Sequence, residues 1–189
     1  MSGWREGSLT MSVLDRFSLA GKTALVTGGA GSYGRQIVQA LAEAGARTYT
    51  ASRNLEAQEK AAVSHRAQGR DVRALTLDQA EETSIIAVRD HIRQESGSLD
   101  ILVNNAVARP VVDGVFSDAS AFDTSMHING TGLIMVTRIM GEFMARGGSI
   151  INIGSIMGLV GLEPSNYCGT EMDGWYPDYF FNKGGMANL

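Results

Sequence analysis

Tyr179 and Lys183 stand one helical turn apart, in the segment Tyr179-Phe-Phe-Asn-Lys183. On one helix face the two side chains are neighbours. A phenol is a poor proton shuttle at neutral pH unless a nearby cation stabilises its anion, and a lysine ammonium is such a cation. Upstream, Ser155 closes the strand-like run Gly148-Ser-Ile-Ile-Asn-Ile-Gly-Ser155, where its hydroxyl could hold a substrate carbonyl. Far upstream lies the glycine-rich turn Thr27-Gly-Gly-Ala-Gly-Ser-Tyr-Gly34. Gly28, Gly31 and Gly34 fall between a strand pattern and a helix pattern, the context in which a glycine turn cradles the pyrophosphate of a dinucleotide. The amides of the following helix N-terminus, with Ser32 and Tyr33 beside them, add free donors and a positive dipole end. Together these residues suit carbonyl/alcohol chemistry driven by a bound dinucleotide.

The elements that must position them follow from periodicity. Apolar runs predict strands at Thr23–Thr27, Arg47–Ser52, Val72–Leu77, Leu99–Asn104 and Ser149–Ile153. Between them, helical spacing of Ile37, Leu41 and Ala44, and then of Ile85, Val88 and Ile92, predicts crossover helices. Asn54 is positioned to cap the second helix. A long helix is predicted from about Ala119 to Arg146, with Gly130 marking a soft point and a local kink. Residues 158–178 read as a loop rich in glycine, proline and polar residues, and the chain ends in what reads as the opening of a helix. This alternation implies an α/β fold, a parallel sheet with helices on both faces.

Composition sets limits. The 189 residues are enough for one core, and 44% hydrophobic with 19% charged content is that of an ordinary globular chain. A formal charge of −4 with no basic run argues against nucleic acid or an anionic membrane as partner. The single cysteine, Cys168, excludes an intramolecular disulfide, and His65, His91 and His127 lack metal-type spacing. No secretory h-region or membrane-length apolar run appears, so the cytoplasm is the expected location. Residues 1–16 read as an N-terminal extension, with Met11 a candidate second start, and residues 17–189 as the dinucleotide-binding domain.

Thr27–Gly34, Asn104-Asn-Ala106, Ile128-Asn129-Gly130, Ser155 and Tyr179-x-x-x-Lys183, in that order, resemble the short-chain dehydrogenase/reductase family. The resemblance implies a doubly wound parallel sheet of Rossmann type, with three αβα layers and at least five strands in the order 3-2-1-4-5. It also implies NAD or NADP bound at the carboxyl ends of the strands and a small carbonyl or alcohol substrate. It casts Tyr179 as acid/base and Lys183 as the cation beside it and the ligand of the nicotinamide ribose. Ser155 then orients the substrate oxygen, and Asn129 holds a water linking Lys183 to solvent. Asn104 and Ala106 would flank the adenosine side, and Asp78 resembles the adenine-contacting acid, with helix capping an equal alternative.

Several positions depart from that pattern. Ser32 stands where compact members carry the middle glycine, and Val107 replaces the glycine after Asn-Asn-Ala. The Gly28/Gly31/Gly34 spacing matches the sugar-nucleotide epimerase and dehydratase branch, which is one rival reading. A fragment that binds dinucleotide without catalysis is the other. Ser155 and Tyr179 are further apart than usual; Tyr167 would shorten the interval, but Glu171 stands where its lysine should be. Across the extra stretch, Tyr167, Trp175 and Tyr176 would shape the pocket, and Glu171 or Asp173 would meet a hydroxylated substrate, with plain surface decoration an equal alternative.

No acid ends the second strand, where a carboxylate would bind the ribose hydroxyls. Ser52 and Arg53 stand there instead, and a guanidinium pairs with a 2′-phosphate. NADP is therefore the preferred cofactor, with NAD as the alternative. Full-length members form homodimers or homotetramers. The resemblance also implies two further strands and a substrate lid beyond residue 189, so the expectation is an apolar strand left uncovered, weak stability and little activity.

Overall fold

The computed structural model describes residues 12–144, 147–170 and 176–189. Residues 1–11 of the expected extension, together with Glu171, Asp173 and Trp175, lie outside the described residues. Five parallel strands form one sheet in the order β3-β2-β1-β4-β5: β1 (Thr23–Thr27), β2 (Arg47–Ser52), β3 (Val72–Thr76), β4 (Ile101–Asn104) and β5 (Ser149–Asn152). Helices α1 (Ser32–Glu43), α2 (Leu55–Arg66) and α3 (Glu82–Ser96) make the crossovers. Asn54 caps α2 as predicted, accepting from the Ala57 amide at 2.9 Å.

Strand alternation decides which layer each side chain enters. In β1, Ala24 and Val26 pack with Val38 and Ala42 of α1 and Ala62 of α2. Leu25, between them, faces the other layer with Ile85, Val88 and Ile92 of α3. All three β1 side chains are wholly buried. Burying one such aliphatic side chain contributes roughly 1.5–3 kcal/mol, which is why a central strand flanked on both faces is uniformly apolar.

The long helix runs as α4 (Ala119–Met126), a π-helical segment His127–Gly132, and α5 (Leu133–Phe143). The soft point read at Gly130 is thus a widened turn rather than a bend. Packing accounts for its position. A Cβ on Gly132 would lie 2.5 Å from the carbonyl oxygen of Gln79, and the Gln79 side chain donates to the Ile128 carbonyl at 2.9 Å. The loop after β3 is thereby pressed against the widened turn.

The outermost strand, β5, differs from its neighbours. Ile150 and Ile151, which alternate across its two faces, are 41% and 44% exposed. Its apolar side chains are therefore only partly covered. Helix α6 (Pro177–Met186) begins with Pro177 in its first turn, where a missing amide hydrogen costs nothing. It packs on the short 3-10 turn Ile156–Gly158 that follows β5.

Candidate active site

Between β1 and β4 the strand order reverses, and the loops leaving their carboxyl ends diverge to open a cleft. Asn105 splices these two loops together. Its amide side chain donates to the carbonyls of Thr27 at 2.9 Å and Gly28 at 3.1 Å. The Thr27 hydroxyl in turn accepts from the Asn105 and Ala106 amides at 3.0 and 2.9 Å.

Gly28 has φ +69°, a left-handed conformation that favours glycine, and a Cβ there would stand 3.0 Å from the Ala106 Cα. A Cβ at Gly34 would come within 2.7 Å of the Gly29 Cα, so α1 can approach the turn only because residue 34 has none. Gly31 is the N-cap of α1, and no side chain satisfies the first amides of that helix. These amides open onto a cleft of about 780 Å³, within the usual range for a cofactor site. A glycine cradle, uncapped amides and this volume fit a dinucleotide.

The other cleft walls hold most of the expected cofactor residues. Gly28, Gly31, Ser32, Tyr33 and Gly34 line one end, Ser52 and Arg53 the next, and Asp78 and Ala106 the side. Arg53 is exposed and forms no ion pair with a described residue. Ser52 is held by Gln58, a buried α2 residue whose amide donates to the serine hydroxyl at 2.8 Å and whose oxygen accepts from Thr50. Asp78 accepts from the Ala80 amide at 3.0 Å, while Glu81 is the N-cap of α3. Its carboxylate therefore closes the turn before the helix and does not cap it.

Asn104 sits apart from the other expected cofactor residues. It is buried under the sheet end, donating to the Thr137 hydroxyl at 3.0 Å and the Asn152 side chain at 2.9 Å, and is not in the cleft wall. As the last strand residue it keeps the strand's alternation, and Asn105, just beyond, turns to the cleft instead.

Tyr179 and Lys183 sit on consecutive turns of α6 as predicted, and neither they nor Ser155 line the cleft itself. The Lys183 ammonium lies 5.8 Å from the centre of the Tyr179 ring and donates to the Ile153 carbonyl. Burial, reinforced by the charge of Arg109, pushes the Lys183 ammonium below its ordinary value of 10.5. Arg109 itself lines the cleft, and its guanidinium carbon is 4.9 Å from the centre of the same tyrosine ring. That contact joins the glycine-turn cavity to α6. Ser155 accepts from the Met157 amide at 3.2 Å. Its hydroxyl proton is not committed to any described residue.

The Asn129 side chain, expected to hold a water, is engaged elsewhere. It donates to the Ala108 carbonyl and accepts from the Ala108 amide, both at 2.8 Å, and donates to the Ser125 hydroxyl at 3.1 Å. Ser125 is a hub: it donates to buried Asp178 at 2.5 Å and accepts from Asn182 at 3.2 Å. Asn129 and Ser125 thus tie the widened turn to both α6 and the loop carrying Arg109. Tyr167 and Tyr176 are half-buried, and neither lines the cleft.

Asn105, Gln58, Gln79 and Arg109 are cleft residues that sequence reasoning missed. The first was legible as the middle residue of Asn104-Asn-Ala106. The others carry no periodic or motif signal. Among the described residues no group of histidine, cysteine and carboxylate side chains could hold a metal ion, and no helix is long and apolar enough to cross a membrane.

Comparisons with known proteins agree with this geometry. The sequence profile of the short chain dehydrogenase family matches residues 22–170. A 3-oxoacyl-[acyl-carrier-protein] reductase of Pseudomonas aeruginosa is 34% identical over 146 residues, covering 76% of this chain and 59% of its own length. The gluconate 5-dehydrogenase of Burkholderia cenocepacia, solved in complex with NADP and tartrate, superposes with a TM-score of 0.80 at 29% identity. That match covers 94% of this chain and 66% of the other. A xylitol dehydrogenase solved with NAD+ bound gives a TM-score of 0.78 at 28% identity, covering 90% of this chain and 63% of that one. The chain therefore spans about three-fifths to two-thirds of these proteins. With its 3-2-1-4-5 sheet, its glycine cradle and its matching profile, the chain belongs to the short chain dehydrogenase family.

Proposed function

We propose that this chain binds NADP(H) in preference to NAD(H) and carries the acid/base group of an oxidoreductase that interconverts a ketone and a secondary alcohol. One observation carries the reading. Tyr179 and Lys183 share a face of α6, and Arg109, a wall of the dinucleotide-sized cleft, packs on that same tyrosine. That contact supports reading the phenol as reaching the end of the cleft remote from the glycine turn.

In this reading the turn amides from Gly28 to Gly34 hold the pyrophosphate. Ala106 and Asp78 border the adenosine. Ser52, fixed by Gln58, and exposed Arg53 receive the 2′-phosphate. Tyr179 and Lys183 meet the nicotinamide ribose. The bound dinucleotide supplies or accepts the hydride. The Tyr179 hydroxyl gives its proton to the carbonyl oxygen, and Ser155 holds that oxygen with the hydroxyl proton it has free. Lys183, its ammonium weakened by burial and by Arg109, passes a proton on more readily and can restore the phenol. Asn129 acts through position, fixing the Ala108–Arg109 loop against the widened turn.

Sugar acids and 3-oxoacyl groups are the candidate substrates, matching the names of the gluconate dehydrogenase and the acyl reductase. Thermal-shift titration of the chain with NADPH and NADH tests the cofactor assignment. Tyr179→Phe tests the chemistry: turnover should vanish while the NADPH-induced shift persists. Turnover surviving that substitution would remove the acid/base assignment, and a larger shift with NADH would overturn the preference.

A further inference from the structure

Two cations flank the Tyr179 ring. The Arg109 guanidinium carbon lies 4.9 Å from its centre and the Lys183 ammonium 5.8 Å. Neither forms an ion pair with a carboxylate among the described residues, although Arg47, Arg66, Arg70, Arg73, Arg89, Arg93 and Arg138 all do. The neighbouring acid, Asp178, is turned away and buried against Ser125. Arg109 sits in the cleft wall and is exposed to whatever enters there. Two like charges within reach of one ring repel each other, and that repulsion is one of the two causes weakening the Lys183 ammonium. An anion placed between them would relieve it.

The guanidinium also lies over the tyrosine ring. Stacked on an aromatic face, an arginine keeps its N–H edge free for a planar, bidentate partner. A carboxylate has that geometry, and a neutral hydroxymethyl group does not. The loop bearing Arg109 is held in place from behind, because both hydrogen bonds of the Ala108 peptide go to Asn129. A guanidinium so placed is a built recognition element, unlike a solvated loop arginine.

We propose that Arg109 selects substrates carrying a carboxylate near the reacting carbinol, binding that carboxylate beside the Tyr179 hydroxyl. The proposal deepens the oxidoreductase reading and rests on it. Arg109 is then a specificity-determining residue, and hydroxy and keto acids are the substrate class, in preference to neutral polyols or acyl thioesters.

Binding to the NADPH-saturated chain tests this without requiring turnover. Matched probes differ only in charge: gluconate against sorbitol, and tartrate against threitol. Calorimetry or ligand-observed NMR should show each carboxylate binding about tenfold or more tighter than its neutral partner, the factor expected of one charge-assisted pair. Arg109→Met should erase the difference, and Arg109→Lys should restore part of it, because the charge survives but the bidentate fork does not. Circular dichroism checks that each variant folds, and an exposed loop position makes folding robust. Equal binding of charged and neutral probes by the unaltered chain would overturn the proposal, as would failure of every carboxylate to bind. A weakened NADPH shift in Arg109→Met, with carboxylate preference intact, would reassign the residue to the cofactor. Failure of the underlying reading looks different, because then NADPH itself gives no thermal shift in the unaltered chain.

Discussion

The backbone of Gly158 runs so close to Lys183 that a Cβ on residue 158 would lie 2.6 Å from the Lys183 carbonyl carbon. The turn that follows Ser155 and the helix that carries Tyr179 are in this way pressed into one unit. Only a residue without a side chain permits the approach, since the atoms it would meet are backbone.

Gly158→Ala should push α6 outward and destabilise the chain by roughly 1–3 kcal/mol, the usual cost of overpacking. Urea denaturation measures it. An unchanged midpoint would mean that α6 is free to move at no cost, and the serine and tyrosine could not then hold a fixed separation.

Arg53→Asp should reverse the dinucleotide preference. It removes the guanidinium that would pair with a 2′-phosphate and adds a carboxylate suited to ribose hydroxyls. The NADPH affinity should fall about tenfold or more, with NADH binding equal or improved. Parallel calorimetric titrations decide it. Equal loss for both dinucleotides would mean that Arg53 serves only the shared part of the molecule.

Lys183 gives a pH signature. Its ammonium is disfavoured in the fold, so its folded value lies below the ordinary 10.5. Between these two values the unfolded chain binds more protons, and stability therefore rises with pH across that window. Below the folded value the burial penalty is present in full. Lys183→Met should remove this component, flattening the dependence of the denaturation midpoint on alkaline pH. Superimposable slopes for the two proteins would contradict the buried-cation picture.

A second network titrates at the acid end. Glu95 is held below its ordinary value first by the hydrogen bond from Tyr49, 2.8 Å long, and then by Arg73. In Asp71, burial acts to raise the value, but bonds from Arg47 and Arg73 outweigh it and leave it lowered. Lowered carboxylates contribute stability that is present above their unfolded values and is lost as pH falls through the folded ones. Tyr49→Phe should cost about 1 kcal/mol near neutrality and less in acid, where Glu95 is protonated. A cost that does not vary with pH would assign the tyrosine's role to packing alone.

Much of the fold was readable because strands and crossovers leave periodic traces. β1 and β2 have the predicted limits, and the strand order is the one the family resemblance implied. Phase at the element ends was not readable. The pattern Asn104-Asn105-Ala106 does not say where the strand stops, and that choice alone decides which asparagine faces the cleft. The widened turn at His127–Gly132 left only a glycine as its mark, because its cause, the Gln79 backbone, is remote in sequence. Arg109 was silent for a related reason: a loop residue acquires meaning only when another segment, here α6, arrives beside it. The helix joining Tyr179 to Lys183, by contrast, was legible from their spacing alone.

The extra residue in the π-helical segment advances the helical phase by about 100° relative to a regular α-helix. Ser125 and Asn129 on one side, and Val136 and Met140 on the other, therefore answer to separate neighbours. Excising one residue from 127–132 would re-phase the two halves, swinging either the polar pair or the apolar stripe out of place. Conversely, side chains before the wide turn can be exchanged while the sheet contacts beyond it keep their alignment.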